Sequence, residues 1–273
     1  MATLVLKIDW DYNPRRFMKL VIMGDTHGEW GLLNTFLNKK KPDILIVCGD
    51  FGHWPGNKFT SYKKIKNPNT KIYWCDGNHE NHHDLLERLN RGDPRRILAV
   101  GDNIYHVPRG RILDLPFLGN TMFIGGAFSV DKEWRTPGLD WFPEEILREV
   151  DIDWIPANVT VDTVVSHTSP TEFCPHMYNE KLQHLPWHRD KSGDPSQEVL
   201  SKVLWKYKPK NWFYGHYHTF DSGKHGPTDT HWQALGHIGG RYQNFVTFSD
   251  EPQHRKESQP GHVNCQVGKL SIS

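Results

Sequence analysis

Short apolar runs that each end in a glycine and polar residues restrict the fold of this chain more than any other feature of its sequence. The first run spans residues 19–23, and residues 44–48 and 72–75 repeat it. Unbroken apolar character over about four or five residues is typical of a strand buried on both faces. Between the first two runs, apolar residues at helical spacing predict a helix that ends before Pro42. The resulting β-α-β order predicts an α/β fold.

Further strands are predicted in the middle and in the second half of the chain. Short runs joined by tight turns favour a partly antiparallel sheet, and they span residues 104–107, 111–115 and 121–125. Three more strands and one helix follow, with the strands at 161–166, 212–214 and 244–248 and the helix at 197–207. A stretch rich in Trp and acidic residues, 126–156, lies between these groups and is called the 126–156 segment below. One short helix is expected in it, at 144–150.

The organisation of the chain points to one domain. No internal repeat, low-complexity tract or long linker divides its 273 residues. We predict a domain at residues 18–248, preceded by an N-terminal extension, 1–17, and followed by a polar tail, 249–273. No apolar run approaches the roughly 18 to 20 residues of a transmembrane helix, and the four cysteines form no CxxC pair. A cytoplasmic chain with reduced cysteines is therefore expected.

The charges of the chain nearly balance, with 33 Lys and Arg residues against 32 Asp and Glu residues. A balanced chain has no general attraction to nucleic acid or to an anionic membrane. We therefore expect no membrane partner and no extended nucleic acid, while short oligonucleotides stay open as ligands. The oligomeric state stays open as well.

Polar clusters follow five of the predicted strands. They are Asp25-Thr26-His27, Gly49-Asp50, Gly77-Asn78-His79-Glu80, Ser166-His167 and Gly215-His216-Tyr217-His218. Because the carboxyl ends of strands in an α/β sheet share one edge, these side chains should converge in one crevice. Carboxylate, amide and imidazole donors without a thiolate suit Mn, Fe, Co, Ni or Zn at five- or six-coordination. Two ions that share a carboxylate need about seven protein ligands, the number present once one histidine is set aside for proton transfer.

The five clusters match the motifs DxH, GD, GNH(D/E), H and GHxH in that order, so the chain resembles the calcineurin-like metallophosphoesterases. The resemblance implies a four-layer α/β/β/α sandwich with two mixed β-sheets and a metal site at the carboxyl ends of the strands. It also implies which residues bind the two metal ions. One ion would be held by Asp25, His27 and His218, the other by Asn78, His167 and His216, with Asp50 bridging them.

The resemblance further implies the reaction. The two ions would generate a bridging hydroxide that attacks a phosphomonoester or phosphodiester, and His79 would act as the general acid. Manganese is the expected metal, with iron, zinc, nickel and cobalt as alternatives. No GxxxxGK[ST] loop is present, so metal ions rather than backbone amides should hold the phosphate.

One departure from a branch of this family bears on the substrate. In the phosphoprotein phosphatases the second motif continues as GDxxDRG and supplies an arginine to the phosphate, whereas here the sequence is Gly49-Asp50-Phe51-Gly52-His53. This weighs against a Ser/Thr phosphoprotein phosphatase, and the nearer resemblance is to the broad phage and bacterial metallophosphoesterases. A diester carries a single negative charge and loses little without the arginine, which favours small or nucleotide-like diesters.

Three alternatives stay open: a Ser/Thr phosphoprotein phosphatase, a nuclease acting on short nucleic acid, and a metal-binding scaffold without activity. The presence of His79 argues against the scaffold, because a scaffold needs no proton donor beside its ligands. In the 126–156 segment, Asp131, Trp134, Arg135 and Trp141 are candidates for substrate contact, and the two tryptophans are candidates for stacking on a base. His53, His82 and His83 are candidates for lining the cleft.

Overall fold

Two mixed β-sheets with helices on their outer faces form the fold of this computed structural model, which describes residues 5–8, 17–56, 62–66, 69–175, 193–251 and 264–268. Sheet I contains β1 (Val5–Lys7), β7 (Arg111–Leu115), β8 (Gly119–Ile124), β9 (Thr163–Ser166), β10 (Asn211–Tyr214), β11 (Asp221–His225) and β12 (Thr230–Ala234). Sheet II contains β2 (Lys19–Met23), β3 (Ile44–Val47), β4 (Lys71–Trp74), β5 (Leu98–Gly101), β6 (Ile104–His106), β13 (Phe245–Ser249) and β14 (Asn264–Gly268). The helices are α1 (Trp30–Lys40), α2 (His82–Asn90) and α3 (Pro195–Tyr207).

The strand order of each sheet places the sequence-predicted strands at its centre. Sheet I runs β1-β7-β8-β9-β10-β12-β11, and sheet II runs β14-β13-β2-β3-β4-β6-β5. Strands β2, β3 and β4 pair in parallel, as do β8, β9 and β10. The antiparallel pairs lie toward the edges, for example β5 with β6 and β11 with β12. Because parallel neighbours end at the same edge, the loops after β2, β3 and β4 emerge side by side.

Successive side chains of the central strands point to opposite faces of each sheet, and this divides the core into layers. Leu20 and Ile22 of β2 pack between the sheets with residues of sheet I such as Val165, while Val21 and Met23 pack on the other face with α1. Helix α3 covers the outer face of sheet I in the same way. Side chains of a strand alternate between its two faces, and every residue of β3 is buried, so sheet II has protein on both sides. The layers are α/β/β/α, which confirms the predicted fold.

The predicted helix at 144–150 is wrong. The chain forms two separate 3₁₀ turns there, Pro143–Glu145 and Glu149–Asp151. The guanidinium of Arg109 explains the break, because it donates to the carbonyl oxygens of Glu144, Glu145 and Ile146. A continuous helix would use those carbonyls for its own amides.

Several elements were not anticipated from the sequence, among them α2, β5, β11 and β12. Two more strands, β1 and β14, lie outside the predicted 18–248 domain and extend one sheet each. The division into extension, domain and tail stays a prediction. No helix among the described residues combines the length and the apolar character that a membrane crossing demands.

Candidate metal centre

Five polar clusters meet where the central strands of both sheets end. Asp25 follows β2, Asp50 follows β3 and Asn78 follows β4 in sheet II, while His167 follows β9 and His216 follows β10 in sheet I. The sheets come into contact here, because His167 Nε2 lies 3.4 Å from Asp50 Oδ1. The predicted convergence of the seven candidate ligands is therefore present in the structure.

The first group of donors consists of Asp25, His27, Asp50 and His218, whose ligand atoms all lie within 4.8 Å of one another. His218 Nε2 lies 3.0 Å from Asp25 Oδ2 and 2.8 Å from His27 Nε2. His27 Nδ1 lies 3.8 Å from Asp50 Oδ2. Imidazole nitrogens that crowd around two carboxylates in this way suit a divalent cation of the transition series. The donor set therefore fits a metal ion.

The second group lies deeper and centres on the side-chain oxygen of Asn78. His167 Nε2 lies 3.0 Å from Asn78 Oδ1, and His216 Nδ1 lies 3.1 Å from the same oxygen. Asp50 is close to both groups, since one carboxylate oxygen faces His167 and the other faces His27. A second cation would find nitrogen and oxygen donors here as well.

The backbone around these donors adopts conformations that few residues tolerate. His27, Asp50, His216 and His218 have φ values of 48°, 44°, 66° and 50°. Such non-glycine residues cost of order 1–3 kcal/mol each when strained, and they cluster at functional sites. Five other non-glycine residues among those described share this φ range, so it is the concentration of four in one group of donors that points to a function.

Gly77 and Gly215 of the motifs are required because the carboxylates of Asp50 and Asp25 approach their backbone closely. A Cβ on Gly215 would overlap Asp25 Oδ1, and a Cβ on Gly77 would overlap Asp50 Oδ1. The missing side chains let the amide of His216 donate to Asp25 at 3.0 Å and the amide of His79 donate to Asp50 at 2.8 Å. The glycines therefore bring hydrogen-bond donors onto the two buried carboxylates.

Electrostatics couple the carboxylates to the histidines. Burial raises the pKa of Asp50, but the neighbouring charges of His167 and His79 outweigh burial and hold this pKa well below its ordinary value. Burial lowers the pKa of His167, yet Asp50 and Asp25 raise it to about 10. A proton on His167 thus supplies positive charge that the carboxylates require, and a bound cation would displace this proton.

Outer contacts fix the deeper donors. His167 donates from Nδ1 to the carbonyl oxygen of Cys48 at 2.8 Å, which turns Nε2 toward Asp50 and Asn78. Asn78 Nδ2 donates to Ser129 Oγ at 3.1 Å, and Ser129 Oγ donates to Glu145 Oε2 at 2.8 Å. Burial raises the pKa of Glu145 to about 7. Sequence reasoning missed Ser129 and Glu145, because neither belongs to a motif.

His79 lies beside this centre. Its ring centroid is 5.2 Å from that of His27, and the guanidinium Nη2 of Arg135 lies 2.8 Å from its Nε2. Burial lowers the pKa of His79, Asp50 raises it, and Arg135 lowers it further, so the net pKa is below its ordinary value. The 126–156 segment therefore reaches the centre through Arg135.

The other histidines predicted to line the cleft have different surroundings. His53 is buried and bonds Asp84 and Tyr62, and His82 donates to the carbonyl oxygen of Gly77 at 2.9 Å. His83 is exposed on α2. These three residues support or flank the loops and do not line the cleft.

His237, which belongs to none of the five strand-end clusters, packs against the centre. Its ring centroid lies 4.5 Å from that of His218 and 6.4 Å from that of His27. The next residue, Ile238, donates its amide to the carbonyl oxygen of Asp25 at 2.8 Å. A strand-end motif could not reveal this residue, because it lies in a loop after β12.

A four-layer sandwich with this carboxylate and histidine centre defines a metallophosphoesterase fold. The chain belongs to the calcineurin-like phosphoesterases, whose family model matches residues 18–220. This family depends on a dinuclear metal site, and its members hydrolyse phosphoester bonds.

Particular relatives are distant. The lariat debranching enzyme of Schizosaccharomyces pombe is 25% identical over 229 residues, which cover 74% of this chain and 48% of that enzyme. The chain thus spans about half the length of this curated relative. A predicted phosphoesterase of Streptococcus pneumoniae TIGR4 matches with a TM-score of 0.35 and 10% identity, covering 92% of this chain and 98% of its own. Phosphopantetheinyl hydrolase of Mycobacterium tuberculosis matches with a TM-score of 0.38 and 12% identity, covering 80% and 90%.

Proposed function

We propose that this chain is a metal-dependent phosphoester hydrolase with two divalent cations per chain. Asp25, His27, Asp50 and His218 would hold one cation, and Asp50, Asn78, His167 and His216 would hold the other. The observation that carries the proposal is the position of Asp50, whose two carboxylate oxygens face histidines of the two groups. Manganese is the expected metal, with iron, zinc, nickel and cobalt as alternatives.

Bound cations would activate water at neutral pH and neutralise the charge of the phosphoryl oxygens. The protein's own residues would orient the donors and manage protons. His167 is fixed by Cys48, and Asn78 is fixed by Ser129, so both present their donor atoms before any ion arrives. Positioning of this kind reduces the reorganisation that a reaction requires.

His79 is proposed as the general acid that protonates the departing oxygen. Its amide is tied to Asp50, which places its ring next to that of His27. An anionic phosphoryl group beside the ring would raise the pKa of His79 from its lowered value, because opposite charge favours the charged form. The bound substrate would thus favour the protonated form of His79, which is the form that a general acid needs.

The substrate proposed is a small or nucleotide-like phosphomonoester or phosphodiester. A relative named as a lariat debranching enzyme supports tests on branched RNA and nucleotide diesters. The second motif ends in Phe51 and His53, both fully buried, which does not favour a Ser/Thr phosphoprotein phosphatase. A cytoplasmic location is proposed from the free cysteines Cys48, Cys75 and Cys174.

Metal analysis followed by hydrolysis assays tests the proposed function. Purified protein should hold two transition-metal ions, lose activity with a chelator, and recover it with Mn²⁺ more readily than with Mg²⁺. Bis(p-nitrophenyl) phosphate and p-nitrophenyl phosphate serve as matched diester and monoester. No more than one ion in fully loaded protein would contradict the two-metal site.

The role of His79 is tested with leaving groups of different basicity. His79→Ala should keep both ions and lower kcat by about 10²- to 10⁴-fold for an alkyl ester, and much less for a nitrophenyl ester, whose leaving group needs no proton. The exposed His83→Ala is the matched control and should change neither value. Equal losses on both esters would instead assign His79 to phosphate positioning.

A further inference from the structure

The described residues that follow Asp50, 51–56, include no lysine or arginine that could contact a phosphate. Phe51 and His53 are fully buried, and His53 is held by Asp84 and Tyr62. A phosphomonoester carries a second negative charge, for which a guanidinium is the best-suited partner because its donors match phosphate oxygens. Such a group would have to come from another part of the chain.

Arg135 of the 126–156 segment brings a guanidinium to this position. Its Nη2 lies 2.8 Å from His79 Nε2 and 2.8 Å from Asp131 Oδ1, and its Nη1 lies 3.4 Å from the carbonyl oxygen of Asn78. Only 8% of the side chain is exposed. The guanidinium therefore touches two consecutive residues of the centre, a proposed metal ligand and the proposed general acid.

We propose that Arg135 binds the second negative charge of a terminal phosphate and so makes dianionic phosphomonoesters substrates of this site. The inference rests on the proposed function, because it places the phosphate between the two cations and His79. It also removes the reason to expect a preference for diesters, since that expectation relied on the lack of an arginine after Asp50.

The position of Arg135 is costly without such a ligand. A buried charge requires a partner, and here the guanidinium faces an imidazole and a centre expected to hold two cations. Asp131 is the one carboxylate within ion-pair distance of it among the described residues, and the Asp131 side chain is 38% exposed, while the charge of Glu145 acts on it from farther away. An incoming phosphate dianion would compensate the guanidinium and hold it in a water-poor environment, where charge-assisted hydrogen bonds are strong.

A purely structural reading makes a different prediction. If Arg135 only fastened the 126–156 segment to the loop at Asn78, its loss would disturb the centre for every ligand alike. If it binds the second charge, its loss would weaken dianions selectively. The contrast between a dianion and a monoanion of similar size therefore separates the two readings.

Calorimetric binding to the metal-loaded full chain provides the test, with inorganic phosphate at pH 8 as the dianion and dimethyl phosphate as the monoanion. Arg135→Gln should weaken phosphate binding by about 10- to 100-fold, and dimethyl phosphate binding by less than about threefold. Arg135→Lys keeps the positive charge but lacks the planar set of guanidinium donors, so it should give an intermediate loss of phosphate binding. Arg148→Gln, a mostly exposed arginine of the same segment paired with Asp151, is the control and should match the wild type.

The same variants are then analysed for metal content and for hydrolysis of the two nitrophenyl esters. Two ions per chain and a selective loss of monoester kcat/KM support the inference. Equal losses for both anions, loss of an ion from Arg135→Gln, or affinities equal to the wild type overturn the role of Arg135 while leaving the proposed function intact. A wild-type chain that takes up no more than one ion overturns the proposed function, and the inference with it.

Discussion

The two halves of the candidate centre differ in how the protein holds their side chains. In the deeper half, Asn78 and His167 are buried, and each is fixed by a partner outside the centre. In the outer half, the side chains of His27 and His218 are 26% and 44% exposed, and their Nε2 atoms face each other at 2.8 Å. The deeper half is thus organised by the fold, as is the buried Asp25, whereas the two histidines of the outer half depend on a shared ligand for their geometry.

This difference has a consequence for metal binding. Partners that orient a ligand raise its affinity for an ion, and their loss commonly costs about 10- to 100-fold. The deeper half has such partners in Cys48 and Ser129. We therefore expect an ion in the deeper half to bind more tightly than an ion in the outer half, which is also the half open to substrate.

The largest effect is expected from Asp50, because it is close to both halves. Asp50→Asn should remove at least one ion and lower kcat/KM by more than the roughly 100-fold typical of outer contacts. Metal analysis and hydrolysis of a nitrophenyl ester measure the two losses. Asp153→Asn changes an exposed carboxylate and serves as the control. Full activity with two ions bound would show that the halves do not share this residue.

A comparison of His218→Ala with His216→Ala tests directly whether the two halves bind their metal ions with different affinities. The first variant should release the outer ion and keep the deeper one, whereas the second, which removes a proposed ligand, should weaken the tighter site by more than the roughly 100-fold typical of outer contacts. Equilibrium dialysis followed by elemental analysis measures both occupancies. Simultaneous loss of both ions in each variant would mean that the halves bind as one unit.

Glu145, which accepts a hydrogen bond from Ser129 behind the deeper half, should make the stability of the protein depend on pH. Burial raises the pKa of Glu145 to about 7, above the value of about 4.5 for an unfolded glutamate. The contribution of Glu145 to stability is therefore fully present below about pH 4.5 and is lost as the pH rises through 7. Urea unfolding of the chelated protein should show a fall in stability over this window, at most about 3 kcal/mol.

Glu145→Gln isolates that effect, because the amide keeps the shape of the side chain without its titration. The difference in free energy of unfolding between this variant and the wild type should change between pH 4.5 and 7 in the direction just given. A difference that is constant over this window would mean that Glu145 is ionised in the fold, held by Ser129 and Trp141.

The same two halves show what a sequence can and cannot reveal. The seven candidate ligands were predictable because each follows an apolar strand, and strand ends meet at one edge. Ser129, Glu145 and His237 were not predictable, since long loops bring them to the centre and no periodic pattern marks them. The 3₁₀ turns at Pro143–Glu145 and Glu149–Asp151 were not predictable either. They depend on Arg109, a residue distant in sequence, which donates hydrogen bonds to carbonyl oxygens that the expected helix would need.

The smallest effect is expected at Trp134, the residue before Arg135 in the 126–156 segment. The tryptophan precedes Arg135, which contacts His79, and its side chain is 64% exposed, while Trp141 donates to Glu145 at 3.0 Å. Trp134 is therefore the better candidate of the two for stacking on a nucleotide base. Stacking contributes about 1–3 kcal/mol per base, and an exposed ring should give the lower end.

Trp134→Ala should then raise KM for a nucleotide phosphodiester by roughly fivefold and leave bis(p-nitrophenyl) phosphate nearly unaffected. Leu139→Ala, which changes a similarly exposed residue of the same segment, is the control for loss of apolar surface. Equal KM changes for both variants would assign the effect to the segment as a whole. A change confined to Trp134 and to nucleotide substrates would place the base against the ring of this residue.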